Sequence, residues 1–108
     1  MHYINNRLLS EVAKGAAKAS RNADDIDLIV PVFAVAGDSA NARATQLHRA
    51  RTQISFYGST PNYAFPFDDL GFKGTTQPLN ALIRECDTAQ MAATITDEML
   101  DDFALVRR

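Results

Sequence analysis

Apolar residues near the start of the chain recur at helical spacing. Ile4, Leu8, Val12, Ala16 and Ala19 fall three and four apart, with Arg7, Glu11, Lys14 and Lys18 mostly off that line. This is one face of an amphipathic helix over about Tyr3 to Ala19. Ser20 to Asp25 is polar and breaks the pattern. The period then changes. Between Ile26 and Ala36, residues Leu28, Ile29, Val30, Val32, Phe33 and Val35 follow one another with no polar alternation. Such a run predicts a strand buried on both faces, as in a parallel sheet covered by helices. Pro31 cannot donate to a ladder, so the strand needs a bulge or an unpaired position there.

Helical periodicity returns after the Gly37-Asp38-Ser39 stop, which offers an N-cap. Leu47, Ala50, Ile54 and Tyr57 define the inner face of a helix from about Ser39 to Tyr57, with Arg43, Arg49 and Arg51 around it. Gly58-Ser59-Thr60-Pro61 supplies a stop, a cap and a proline suited to a first helical position. Asn62 to Gly74 reads as irregular and aromatic-rich, with room for short turns of helix. Thr76 is the expected cap of a helix from Gln77 to about Glu85, with Leu79, Leu82 and Ile83 inward. Asp87 or Thr88 caps the next, through Met91, Ala92 and Ile95. Thr96 caps the last, Asp97 to about Val106, where Asp97 and Glu98 suit the first turn.

The fold expected is therefore mainly α with one β-strand, in a single domain spanning 1–108. One strand cannot satisfy its own ladder groups. Either the chain is a piece of a larger α/β assembly, or Ile26 to Ala36 is an extended segment wrapped by the chain's own helices.

Bulk properties narrow the function classes. A net charge of -2 offers no basic face for phosphate backbones, so nucleic acid is not an expected partner. No apolar stretch approaches the ~20 residues needed to span a bilayer, and no membrane association is expected. The one cysteine, Cys86, suits a reducing compartment, and the expected location is cytoplasmic.

Three segments resemble luciferase-like oxidoreductases: AKGAAKASRNADDIDLIVPVFAVAGD, ending at Asp38; RTQISFYGSTPNYAFPFDDLGF, Arg51 to Phe72; and MAATITDEMLDDFALV, Met91 to Val106. The YGSTPNY run is the most specific. The resemblance implies the C-terminal segment of a (β/α)8 barrel, with Ile26 to Ala36 as its seventh strand. It also implies the coenzyme F-420 or FMN as cofactor, and hydride transfer or monooxygenation as chemistry. The earlier strands that build most of the cofactor cleft have no counterpart, and none is expected for the final strand. The chain is thus read as inactive alone, binding neither cofactor, and completed by a second copy or by a complementing N-terminal half. The alternative is a stand-alone small helical protein that acts by homo-oligomerisation or partner binding.

No residue is assigned a catalytic role. Gly58, Ser59, Thr60 and Tyr63 are the candidates for a cofactor or substrate pocket, since hydroxyls and backbone N–H groups at a helix start hold anions. A capped helix turn would use the same atoms. Phe56, Tyr57, Tyr63, Phe65, Phe67 and Phe72 either line an apolar pocket or form core and interface. His2 and His48 lack partners at ligand spacing, so no metal is expected. Cys86 lies among Arg84, Glu85 and Asp87 without a nearby histidine and reads as structural. The pairs Asp24-Asp25, Asp68-Asp69 and Asp101-Asp102 read as caps and solvated surface.

Overall fold

The computed structural model describes residues Tyr3–Val106. The chain divides into two compact units, 1–31 and 32–108.

In the first unit a π-helical turn, Ile4–Leu8, runs directly into helix α1, Leu9–Lys18. The expected face is present in graded form, with Ile4, Leu8 and Val12 half-buried and Ala16 buried. Ser20, at a φ of 54°, turns the chain out of the helix. Asn22 then accepts from the Asp24 amide and opens a short 3-10 turn over Ala23–Asp25.

The predicted strand is mostly absent. Residues 26–32 make no strand, and β1 is confined to Phe33–Val35. The expectation of burial on both faces also fails, for Leu28, Ile29, Val30 and Val32 are all exposed, Ile29 at 89%. The physical reason lies in the backbone. Pro31 has no N–H to give a ladder, and among the described residues only 104–106 pair with any part of this run.

A second correction comes from the end of the chain. The last helix, α6, covers Asp97–Phe103 and stops there, and Ala104–Val106 form a strand, β2. Ala104 takes an extended conformation, φ -133° and ψ 157°. β1 and β2 pair in parallel, Phe33 opposite Ala104, Ala34 opposite Leu105 and Val35 opposite Val106. The sheet therefore has two strands where one was expected, and β1 has a neighbour from its own chain. Parallel pairing requires a long crossover, and here the helices of residues 40–103 supply it.

Those helices follow the sequence closely. Helix α2, Ala40–Gly58, begins where Ser39 Oγ accepts from the Ala42 amide at 3.1 Å. A 3-10 turn over Pro61–Tyr63 leads into α3, Ala64–Asp69. Helix α4 covers Thr76–Arg84, but Thr76 is not its cap; Thr75 holds that position, and its hydroxyl donates to the Phe72 carbonyl at 2.7 Å. Helix α5, Thr88–Thr94, is capped by Asp87, and α6 by Thr96. Leu79, Ile95, Leu100 and Val35 are the most enclosed apolar side chains, and Ala50, Ile54, Phe67, Met91 and Met99 complete the centre. Arg51 staples the far side of α2, donating to the Ile95 carbonyl and to Asp97.

The sheet alternates with period two. Val35 and Ala104 are buried against the helices, whereas Ala34 and Leu105 point to the open face. Truncation should expose this difference. Leu79→Ala, at a fully enclosed position, is expected to cost about 2–5 kcal/mol of unfolding free energy in urea titrations. Leu105→Ala on the open face should stay within about 0.5 kcal/mol. Equal losses at the two positions would contradict the exposure of Leu105 on the open face.

Candidate functional site

Helix α2 returns antiparallel to β1, because the Tyr57 ring in its last turn meets Phe33, the first strand residue, at 6.5 Å. Its residues span about 28 Å at ~1.5 Å each. The second unit thus has two separated ends. One is the turn at the carboxyl end of β1, residues 36–39; the other is the aromatic junction at the amino end.

The carboxyl-end turn is tightly built. A Cβ on Gly37 would stand 2.9 Å from the Arg43 amide nitrogen and 3.0 Å from the Ala42 Cβ, so only glycine lets the turn close onto α2. Arg43 donates from its guanidinium to the Gly37 carbonyl at 2.9 Å, which holds the turn against the first helical turn. In parallel α/β architectures this end of a strand is where ligands are received. It was legible in the sequence as a stop and a cap, although its close approach at Gly37 was not.

The four sequence-derived candidates lie at the opposite, amino end. Gly58 is buried, and a Cβ there would come within 2.8 Å of Phe67 Cζ and 2.9 Å of Leu79 Cδ1. Its lack of a side chain serves the crossing of α2 with α3 and α4. Ser59 is 3% exposed; its hydroxyl donates to the Phe56 carbonyl at 2.7 Å, and its carbonyl accepts from Asn80 Nδ2 at 3.0 Å. Thr60 is half-buried, with its amide donating to Tyr57 and its carbonyl accepting from Tyr63. Tyr63 is 49% exposed and stands edge-on to Tyr57, centroids 6.0 Å apart. Gly58 and Ser59 are thus part of a helix joint, while Thr60 and Tyr63 reach the surface.

The aromatic residues split in the same way. Phe67 is core, its ring 4.5 Å from that of Phe103 and tilted 37° to it, and Phe72 packs against the core. Phe56, Tyr57, Tyr63 and Phe65 are exposed. Beside them a groove of about 340 Å³ is lined by Pro61, Asp68, Lys73, Gly74, Thr76 and Asn80, among others. The Thr76 hydroxyl is buried there without a hydrogen-bond partner. Sequence reading missed this groove because its walls come from three elements with no linear motif. A smaller groove, about 220 Å³, lies between Phe33 and Ala34 of β1 and Gln46, Arg49 and Gln53 of α2.

Titratable groups do not gather at either end. Asp24, Asp25, Asp68, Asp69 and Asp101 are exposed and Asp102 is half-buried. Among the described residues no cluster of His, Cys, Asp and Glu could hold a metal ion; His2 lies outside them, and His48 is exposed on α2. Cys86 is exposed rather than enclosed, in a left-handed conformation, φ 57°, that closes α4. Glu11, in the first unit, has its carboxyl held below the usual range by the Lys14 ammonium hydrogen-bonded to it at 2.8 Å. No helix among the described residues is long and apolar enough to cross a membrane.

Comparison with known proteins adds the following. The sequence profile of a family described as luciferase-like monooxygenase matches residues 2–107. Uncharacterized proteins of Mycobacterium bovis and of two strains of Mycobacterium tuberculosis are 30% identical to it, over 95% of this chain and 32% of their own length. The chain thus spans about a third of these curated relatives. No solved structure matches.

The joint at Gly58 makes a direct prediction. Gly58→Ala should lower stability by about 1–3 kcal/mol through overpacking against Phe67 and Leu79. Ser59→Ala should lose about 1 kcal/mol with its buried hydrogen bond. Denaturant titration of both variants checks this, and an unchanged midpoint for Gly58→Ala would mean that α3 and α4 yield freely.

Proposed function

The chain belongs to the luciferase-like monooxygenase family, and we propose that it acts as the C-terminal portion of a flavin- or deazaflavin-dependent oxidoreductase barrel. In that reading residues 1–108 form one part of a larger catalytic domain and are not an enzyme by themselves. The observation that carries it is the two-stranded parallel sheet. Among the described residues, β1 and β2 pair only with each other, while Ala34 and Leu105 face outward. Parallel sheets are ordinarily covered on both faces. The relatives, about three times as long, have the length to supply the strands and covering layer that this sheet lacks.

The cofactor in this reading is FMN or coenzyme F-420, whose reduced ring would supply a hydride or activate oxygen. The residues described do not assemble a cradle for it. The turn at Gly37–Ser39 has its Arg43 guanidinium bonded inward to a backbone carbonyl, and Asp38 beside it opposes a phosphate. The larger groove lies with the amino-end junction, bordered by Asp68. No chemical step is therefore derived through these residues; their part is wall and support, with Thr60 and Tyr63 the surface members of the candidate set. We place the protein in the cytoplasm, in keeping with its single cysteine.

The completing partner in this reading is an N-terminal segment carrying the remaining strands. Fluorescence titration with FMN and with coenzyme F-420 tests it, on the chain alone and on the chain co-expressed with the preceding segment of a mycobacterial relative. The chain alone is expected to show no micromolar binding, and the pair to co-purify and bind one of the two. Micromolar binding by the isolated chain, or no association with the segment, would overturn the proposal.

A further inference from the structure

The groove of about 340 Å³ beside the amino-end junction has no part in the barrel reading, and its polar groups are unmatched. Thr76 opens α4 with its hydroxyl buried and without a partner. A threonine in a helix ordinarily donates back to the carbonyl four residues earlier, which here is that of Phe72. That carbonyl already accepts from the Thr75 amide at 3.3 Å and from the Thr75 hydroxyl at 2.7 Å. Both of its lone pairs are engaged, so the Thr76 hydroxyl is left with a proton to donate. Buried donors of this kind are rare, and one in the wall of a groove marks where an acceptor is missing. No side chain caps the first turn of α4 either, and Thr76 and Gln77 of that turn both line the groove.

Two charges share this groove. Asp68, in the last turn of α3, and Lys73, in the connection before α4, are both exposed along it. Among the described residues neither makes an ion pair, with the other or with any third group. Pro61 and Ala64 add apolar wall.

From this we infer that the groove binds a small zwitterion of the amino-acid class. Its carboxylate accepts from the Thr76 hydroxyl at the start of α4, beside Lys73, and its ammonium pairs with Asp68. The charges select this class. A plain anion is attracted by the helix start and by Lys73 but repelled by Asp68. A plain cation meets the reverse. A ligand carrying both charges gains from all three groups, and supplies the acceptor that the Thr76 hydroxyl lacks. The volume lies in the range of small-molecule sites, which leaves room for a short side chain against Pro61 and Ala64.

Titration of the whole chain with L-alanine, followed by the backbone amide NMR signals of Thr76 and Gln77, tests this. Saturable shifts are expected, with a midpoint on the order of 1 mM, the weak end of specific binding. Acetate and ethylamine, each carrying one of the two charges, should bind at least about tenfold more weakly. Asp68→Asn and Lys73→Gln should each raise the L-alanine midpoint at least about threefold. Thr76→Val gives a readout that a purely structural threonine would not. Its thermal midpoint without ligand should match or exceed that of the wild type, since no bond is lost, while its L-alanine midpoint should rise at least about threefold. Three results overturn the inference: no saturable shift by tens of millimolar L-alanine, acetate or ethylamine binding as tightly as L-alanine, or charge variants that leave the midpoint unchanged. A lowered thermal midpoint for Thr76→Val would equally overturn it, because the hydroxyl would then already have a partner. Cofactor titration is a separate readout, so failure here leaves the oxidoreductase reading standing, and the reverse.

Discussion

In the second unit the parallel pairing of Phe33–Val35 with Ala104–Val106 is the constraint on which the other contacts depend. The two segments lie at opposite ends of that unit, so their union closes a long loop at an entropic cost. What offsets the cost is the apolar interior that the loop encloses. Val35 and Ala104 enter it from the sheet, Ile54 from α2, Leu79 from α4, Ile95 from the turn after α5 and Leu100 from α6. A parallel connection of this kind must carry its own covering layer, and helices α2 to α6 are that layer. The helices are short after α2, and the last two are started by side-chain caps: Asp87 for α5, Thr96 for α6. They gain stability mainly from the shared interior, since isolated helices of this length are marginal.

The same pairing divides the surface into regions with different chemistry. One face of the sheet is closed by helices, and the other shows Ala34 and Leu105. The carboxyl end of β1 turns sharply at Gly37 into the start of α2. The amino end holds the aromatic junction and the Gly58 joint. This separation explains why the run from Tyr57 to Tyr63, rich in polar and hydroxyl residues, forms no obvious ligand cradle. Its glycine and serine are consumed by the crossing of α2 over α3 and α4, and its outer tyrosines face water.

The open edges of the sheet among the described residues and the family assignment bear on each other. A luciferase-like chain that spans about a third of its curated relatives has a sheet with open edges among its described residues, and an apolar run, Leu28 to Val32, that is exposed. Aliphatic residues of this kind are stable in water singly but costly in a row. In the proposed reading the remaining strands of a barrel would cover them.

The sequence by itself determined the helices, because their signals are local. Period, caps and stops placed α1 and α2 within a few residues, named Thr96 as a cap, left Asp87 or Thr88 for the preceding helix, and identified Leu79, Ile54 and Ile95 as inward. It also carried the family, in runs of residues that need no partner to be recognised. Pairing was decided only by the tertiary structure. Three residues at Ala104–Val106 cannot show a period that separates strand from helix, and nothing local distinguishes Phe33–Val35 from the equally apolar Leu28–Val30. A ladder needs a neighbour brought from far along the chain, and its position is set by where that neighbour can reach. The fate of Gly58 and Ser59 was decided the same way: the atoms that would hold a ligand at a helix end are, once α3 and α4 arrive, the atoms that hold the helices together.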